Sequence, residues 1–126
     1  MRKEYYAPAD AYSTQKRAYS KAVVTEGGRT IWLAGVLAPS GGTFEAQVRE
    51  IFATLGENIR AAGGGGLHDM VTMTVFITDP RLGDRFVELR REIFGGEKFP
   101  ASALITVAGL ARPEALIEIQ GAAVVE

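Results

Sequence analysis

Glu118 stands at the centre of Leu116-Ile117-Glu118-Ile119-Gln120, a run whose other members specify the interior of a β-strand. A carboxylate there must be paired, protonated or turned toward a pocket or solvent, because burying a bare charge is very costly. One reading makes Glu118 an acid/base group or a water-holder in a cleft. The other places it, with Gln120, on the solvent side of the strand. Tyr19 and Ser20 open a β-prone segment and could donate hydrogen bonds into a pocket, although strand-end tyrosines are more often packing residues with a wet hydroxyl. Ser102 follows Phe99-Pro100-Ala101 and precedes Ala103, at an extended entry to a strand. No GxSxG elbow surrounds it, so a serine hydrolase has little support. His68-Asp69 resembles two members of a triad on paper, but its place between a glycine run and a strand suits a loop or cap. Gly63 to Gly66 follows a helix and lacks a trailing Lys-Ser/Thr pair, so it reads as a helix stop rather than a phosphate cradle.

Composition removes other chemistries. The 126 residues include no cysteine and one histidine, which excludes disulfide frameworks, thiolate nucleophiles and multi-histidine or zinc-ribbon metal sites. No cofactor is called for. A formal net charge of −1 supplies no overall field for nucleic acid or anionic membrane. No apolar run approaches the ~20 residues needed to cross a bilayer, and the N-terminus lacks the apolar stretch of a signal peptide. A soluble, cytoplasmic chain forming one domain over residues 1–126 is expected, with 47% hydrophobic residues to build its core.

The elements that must position these residues follow from periodicity. Tyr19 to Thr25 and Thr30 to Ala38 are β-prone and flank a Gly27-Gly28 turn. Thr43 caps a helix whose apolar stripe is Val48, Ile51, Phe52, Leu55, Ile59 and Ala62. Val71, Met73, Val75 and Ile77 alternate with Thr72, Thr74, Phe76 and Thr78 as a strand does. Asp79-Pro80 starts a second helix with Leu82, Phe86, Leu89 and Ile93 on its apolar face, stopped by Gly95-Gly96. Its Arg85, Arg90 and Arg91 alternate with Asp84, Glu88 and Glu92, which indicates a solvated face. Ser102 to Ala108 and Ala115 to Val125 supply the last two strands. The order β-β-α-β-α-β-β predicts an α+β domain with both helices on one face of a single sheet. The other face, carrying Trp32 and Thr72, is left uncovered and predicts self-association.

Six pieces in this order resemble the Rid family (YjgF/YER057c/UK114). They are Tyr19-Ser20-Lys21-Ala22-Val23, Leu33-Ala34-Gly35, Ala46-Gln47-Val48-Arg49, Thr72 to Asp79, Phe99-Pro100-Ala101 and Leu116 to Ile119. The resemblance implies a chorismate mutase-like fold, a homotrimer whose sheets line an inner barrel, and pockets between subunits. It further implies hydrolysis of reactive enamines and imines to keto acids and ammonia without a cofactor. In that branch of the family an arginine clamps the substrate carboxylate and a last-strand glutamate holds the attacking water.

Carried over residue by residue, Tyr19 matches the family tyrosine, Gly35 the glycine whose backbone lines the pocket, and Glu118 the water-holding glutamate. The arginine position is Ser102, beside Ala103. The serine before the pocket glycine is Ala34, an asparagine of the second helix is Val87, and the cysteine or threonine two residues past the arginine is Leu104. A charge-assisted bond to a carboxylate contributes about 1.5–3 kcal/mol, which a serine cannot replace. Arg112 or Arg17 could bring a guanidinium to the site in a trimer. The expected activity is a hydrolase of the deaminase type whose substrate is shifted from 2-iminopropanoate. The alternatives are a non-catalytic trimer binding a metabolite or protein, and, last, an endoribonuclease.

Overall fold

The computed structural model describes residues 1–8 and 16–126. Strands β1 (Arg2–Tyr6), β2 (Ala22–Glu26) and β3 (Arg29–Val36) precede helix α1 (Phe44–Ala61) and strand β4 (Met70–Ile77). Helix α2 (Gly83–Phe94) and strands β5 (Ala101–Thr106) and β6 (Ile117–Val125) complete the chain. The expected series of strands and helices is present, with β1 added in front. Its charged sequence hides a weak alternation, in which Lys3 and Tyr5 are half-buried while Arg2, Glu4 and Tyr6 are exposed.

The strands form two sheets rather than one. β3, β6, β4 and β5 lie side by side in that order, and β1 pairs with β2 apart from them. Gly27 and Gly28, at φ 75° and 79°, turn the chain between β2 and β3 without closing a hairpin between them. The four-stranded sheet is antiparallel except for the parallel β4–β5 pair, whose connection is α2.

Local signals set the helix ends. The Thr43 side chain accepts a hydrogen bond from the Ala46 amide at 3.1 Å and so caps α1. After Ala62, Gly63 at φ 101° donates to the Arg60 carbonyl and Gly64 donates to Ile59, the paired bonds that end a helix at a left-handed glycine. Pro80 begins a single 3-10 turn, Pro80–Leu82, that leads into α2 and is capped by the Asp79 carboxylate.

Both helices pack on one face of the four-stranded sheet. Val48, Ile51, Phe52, Leu55 and Ile59 from α1 and Phe86 and Leu89 from α2 meet Met73, Val75, Ile77, Ile117 and Ile119, all buried. Phe52 bridges the helices, with its ring centroid 6.0 Å from Phe86 and 5.6 Å from Phe94. Among the described residues no helix covers the opposite sheet face, and Trp32 upon it is 82% exposed. No helix among the described residues is long and apolar enough to cross a membrane.

Candidate functional site

Strand register decides which candidate residues share a face. Glu118 is paired across the sheet with Phe76, and Phe76 in turn with Ile105. Directly paired residues point to the same side, and successive residues to opposite sides. Glu118, Phe76 and Ile105 therefore lie on the open face, as do Thr74 and its partners Gln120 and Ala103. Ser102 pairs with buried Met73, and Leu104 with buried Val75, so these two point toward the helices. The residues expected at one site thus fall into two sets on opposite faces of a single chain.

The open-face set centres on Glu118 and Gly35. β3 shifts register between Leu33 and Val36, and this irregularity brings Gly35 over the neighbouring strand. A Cβ at Gly35 would collide with the Glu118 carboxylate. The glycine is therefore what lets the carboxylate lie half-buried against the β3 backbone. Ala34 is exposed beside it in the same bulge.

The helix-side set surrounds a cavity of about 180 Å³ lined by Arg17, Tyr19, Val87, Arg90, Ser102 and Leu104. The segment bearing Tyr19 is held there by Ser20, whose amide donates to Pro100 and whose hydroxyl donates to the Phe99 carbonyl at 2.6 Å. The Ser20 hydroxyl thus ties two segments together instead of facing the cavity. Tyr19, Val87, Ser102 and Leu104, matched one by one on sequence, come together around this space. Arg17 joins them, while Arg112 lies in the exposed turn before β6 and does not line the cavity.

Arg90 was not among the expected site residues. It is 2% exposed, and its Nη1 donates to the Ser102 hydroxyl at 2.7 Å and its Nη2 to the Arg17 carbonyl at 3.1 Å. The guanidinium lies over the Phe86 ring at 4.9 Å and 6.0 Å from that of Tyr19. Its Nε is buried with no hydrogen-bond partner among the described residues. Burial, and then the neighbouring Arg17 charge, lower the guanidinium to about 10. The one available sequence signal is placement: Arg90 follows Phe86 by four residues, on the apolar stripe rather than the solvated face.

The remaining candidates have structural partners. Asp69 accepts from the Gly65 and Gly66 amides at 2.6 and 3.3 Å, so a carboxylate of the chain already occupies the glycine turn. His68 Nε2 lies 2.7 Å from the Phe94 carbonyl. Arg85 pairs with Glu88 and Glu45, and Arg49 with Glu45 and Glu92. Among the described residues no cluster of three or more His, Asp or Glu side chains could hold a metal ion.

Residues 9–125 match the family model described as Endoribonuclease L-PSP. The Rid protein YyfB of Yersinia pestis, whose function is unknown, is 28% identical with a TM-score of 0.87, over 99% of this chain and 100% of that one. A protein of unknown function from Pseudomonas aeruginosa is 25% identical (TM-score 0.73), over 99% of this chain and 94% of that one. A member of the YjgF/YER057c/UK114 family from Mycobacterium tuberculosis is 26% identical (TM-score 0.71), over 98% of this chain and 100% of that one.

Proposed function

The chain belongs to the Rid (YjgF/YER057c/UK114) family, and from that premise we propose that it hydrolyses an enamine, imine or related reactive metabolite in a pocket between subunits of a homotrimer. The observation that carries this reading is the division of the site. Glu118 and Gly35 lie on the open face, and Tyr19, Val87, Ser102 and Leu104 lie behind the sheet around the cavity. One chain cannot bring the two sets to one ligand, whereas a second copy docked on the open face can present its own cavity edge. The exposed Trp32 face is the surface such docking would bury.

In this assembly Glu118 holds a water molecule and takes its proton as the oxygen adds to the imine carbon. The imine nitrogen gains a proton, the C–N bond of the resulting carbinolamine breaks, and ammonia leaves as the carbonyl forms. Tyr19 donates a hydrogen bond to the bound ligand. The balance requires water alone. Because Ser102 stands at the clamp position and Ala34, Val87 and Leu104 replace polar family residues, the substrate is one other than 2-iminopropanoate.

The test is ammonia release from enzymatically generated 2-aminoacrylate and from larger imines. Acceleration is expected for at least one imine, with a loss of about a hundredfold or more in Glu118→Ala. No acceleration on any imine, or an unchanged rate in Glu118→Ala, would overturn the reading.

Ser102 at the arginine position also favours a second reading, a non-catalytic trimer that binds a metabolite. On that reading Ser102→Arg creates imine hydrolysis that the parent lacks, and turnover by the parent counts against it. Cleavage of RNA has the least support, since the chain carries net charge −1 and the Arg49, Arg81 and Arg85 guanidiniums all pair with carboxylates.

A further inference from the structure

A guanidinium that is almost wholly buried normally faces a carboxylate, because the desolvation cost of one charge is offset only by an opposite one. Arg90 has no carboxylate partner among the described residues. Its contacts are a hydroxyl, a main-chain carbonyl, the Met73 sulfur and the faces of two aromatic rings. Arg17, the other arginine at this cavity, is already matched by Asp84 at 2.8 Å. Among the described residues the guanidinium left without a carboxylate is therefore that of Arg90, and it borders an open space rather than sealed core.

The Ser102 hydroxyl transmits that charge. Its oxygen accepts from Arg90 Nη1 at 2.7 Å, a short charge-assisted bond, so its own proton must be donated elsewhere. No acceptor for that proton is found among the described residues, and Ser102 lines the cavity. A hydroxyl polarised by a cation on one side is a stronger donor on the other. Val87 and Leu104 add apolar wall beside Arg17 and Tyr19, and apolar wall next to a charge strengthens its interaction with a ligand.

We propose that Arg90 and Ser102 together form an anion subsite, in which a small carboxylate accepts from the Ser102 hydroxyl and is held by the Arg90 charge behind it. The positive charge is then supplied from helix α2 rather than from strand β5. The ligand's carboxylate enters toward the helices, while the rest of it points to the cavity mouth. The proposal rests on the hydrolase reading for where the ligand lies, and not for whether it is turned over. Arg90 acts partly through Ser102 and is in that sense a positioning residue.

The test is calorimetric titration of the full chain with short 2-oxo acids of increasing length and with their primary amides, at low and high salt. The parent is expected to prefer at least one acid over its amide about tenfold or more, with the preference shrinking as salt rises. Arg90→Met is expected to abolish that preference, Arg90→Lys to retain part of it, and Ser102→Ala to reduce it several-fold. Absence of any preference in the parent, or an undiminished preference in Arg90→Met, would overturn the subsite. Should Arg90→Met fail to fold, an undiminished preference in Ser102→Ala overturns it equally. A carboxylate preference without imine turnover would remove the hydrolase reading and leave the subsite standing. Turnover of imines without any carboxylate preference would do the reverse.

Discussion

At the scale of single residues, Gly35 and Arg90 are each defined by what lies beside them. Gly35 does not need a left-handed backbone, so a larger residue is conformationally permitted there, and what its Cβ would meet first is the Glu118 carboxylate. Gly35→Ala is expected to displace that carboxylate and lower imine hydrolysis at least tenfold while the far-ultraviolet circular dichroism stays unchanged. An alanine variant with full activity would show that the contact is incidental. Arg90 carries the opposite lesson. With its guanidinium lowered to about 10 by burial and by Arg17, it stays charged through the neutral range. Carboxylate affinity needs that charged form, so it is expected to be level from about pH 6 to 9 and to fall above that range. The sign for stability is also fixed. The unfolded chain keeps the arginine proton to higher pH, so this group's unfavourable contribution is constant at neutral pH and diminishes only above about 10. Titrating the 2-oxo acid at stepped pH checks the binding half of this statement.

At the scale of elements, close approach between strands constrains the sheet more than side-chain identity does. Gly121 in β6 sits where a Cβ would strike the Thr72 carbonyl oxygen and the Met73 Cα of β4. These are backbone atoms of the sheet and cannot rotate away. Gly121→Ala is expected to destabilise the fold by about 1–3 kcal/mol, read as a lowered midpoint in urea unfolding. Helix α2 contributes in a different way. Val87 and Arg90 are one turn apart on the face it turns toward β5, and that spacing places an apolar wall and a cation on the same cavity. Arg85, on its solvated face, pairs with Glu88 and with Glu45 of α1. Such exposed pairs contribute little individually, and the helix is held by Phe86 and Leu89 beneath them.

At the scale of the whole molecule, the sheet has one face filled by two helices and one face that no helix among the described residues covers. Trp32, at 82% exposure, is the largest apolar side chain left on that open face. If the open face is where copies meet, Trp32→Glu is expected to convert trimer to monomer in sedimentation equilibrium and to abolish hydrolysis with it. A parent chain that sediments as a monomer would remove the assembly, and with it a shared site. The same geometry separates Glu118 from the helix-side cavity by the thickness of the sheet, so on the proposed reading one chain alone holds no complete site.

The sequence by itself determined the helices, the central strands, their caps and stops, and the identities at Tyr19, Gly35, Val87, Ser102, Leu104 and Glu118. Those features are local, written in period and in residue type, and so they survive without a third dimension. β1 escaped because alternation among charged residues is weak, and the separate β1–β2 sheet escaped because pairing partners are not encoded in propensity. Tertiary structure alone decided which face each site residue occupies, since register across three strands fixes it. It alone revealed Arg90 as well. In the sequence Arg90 sits among alternating charges that read as a solvated surface, and burial depends on what α2 packs against. Only the packed molecule shows that one of those charges has gone inside, next to a serine, with no carboxylate among its described neighbours to answer it.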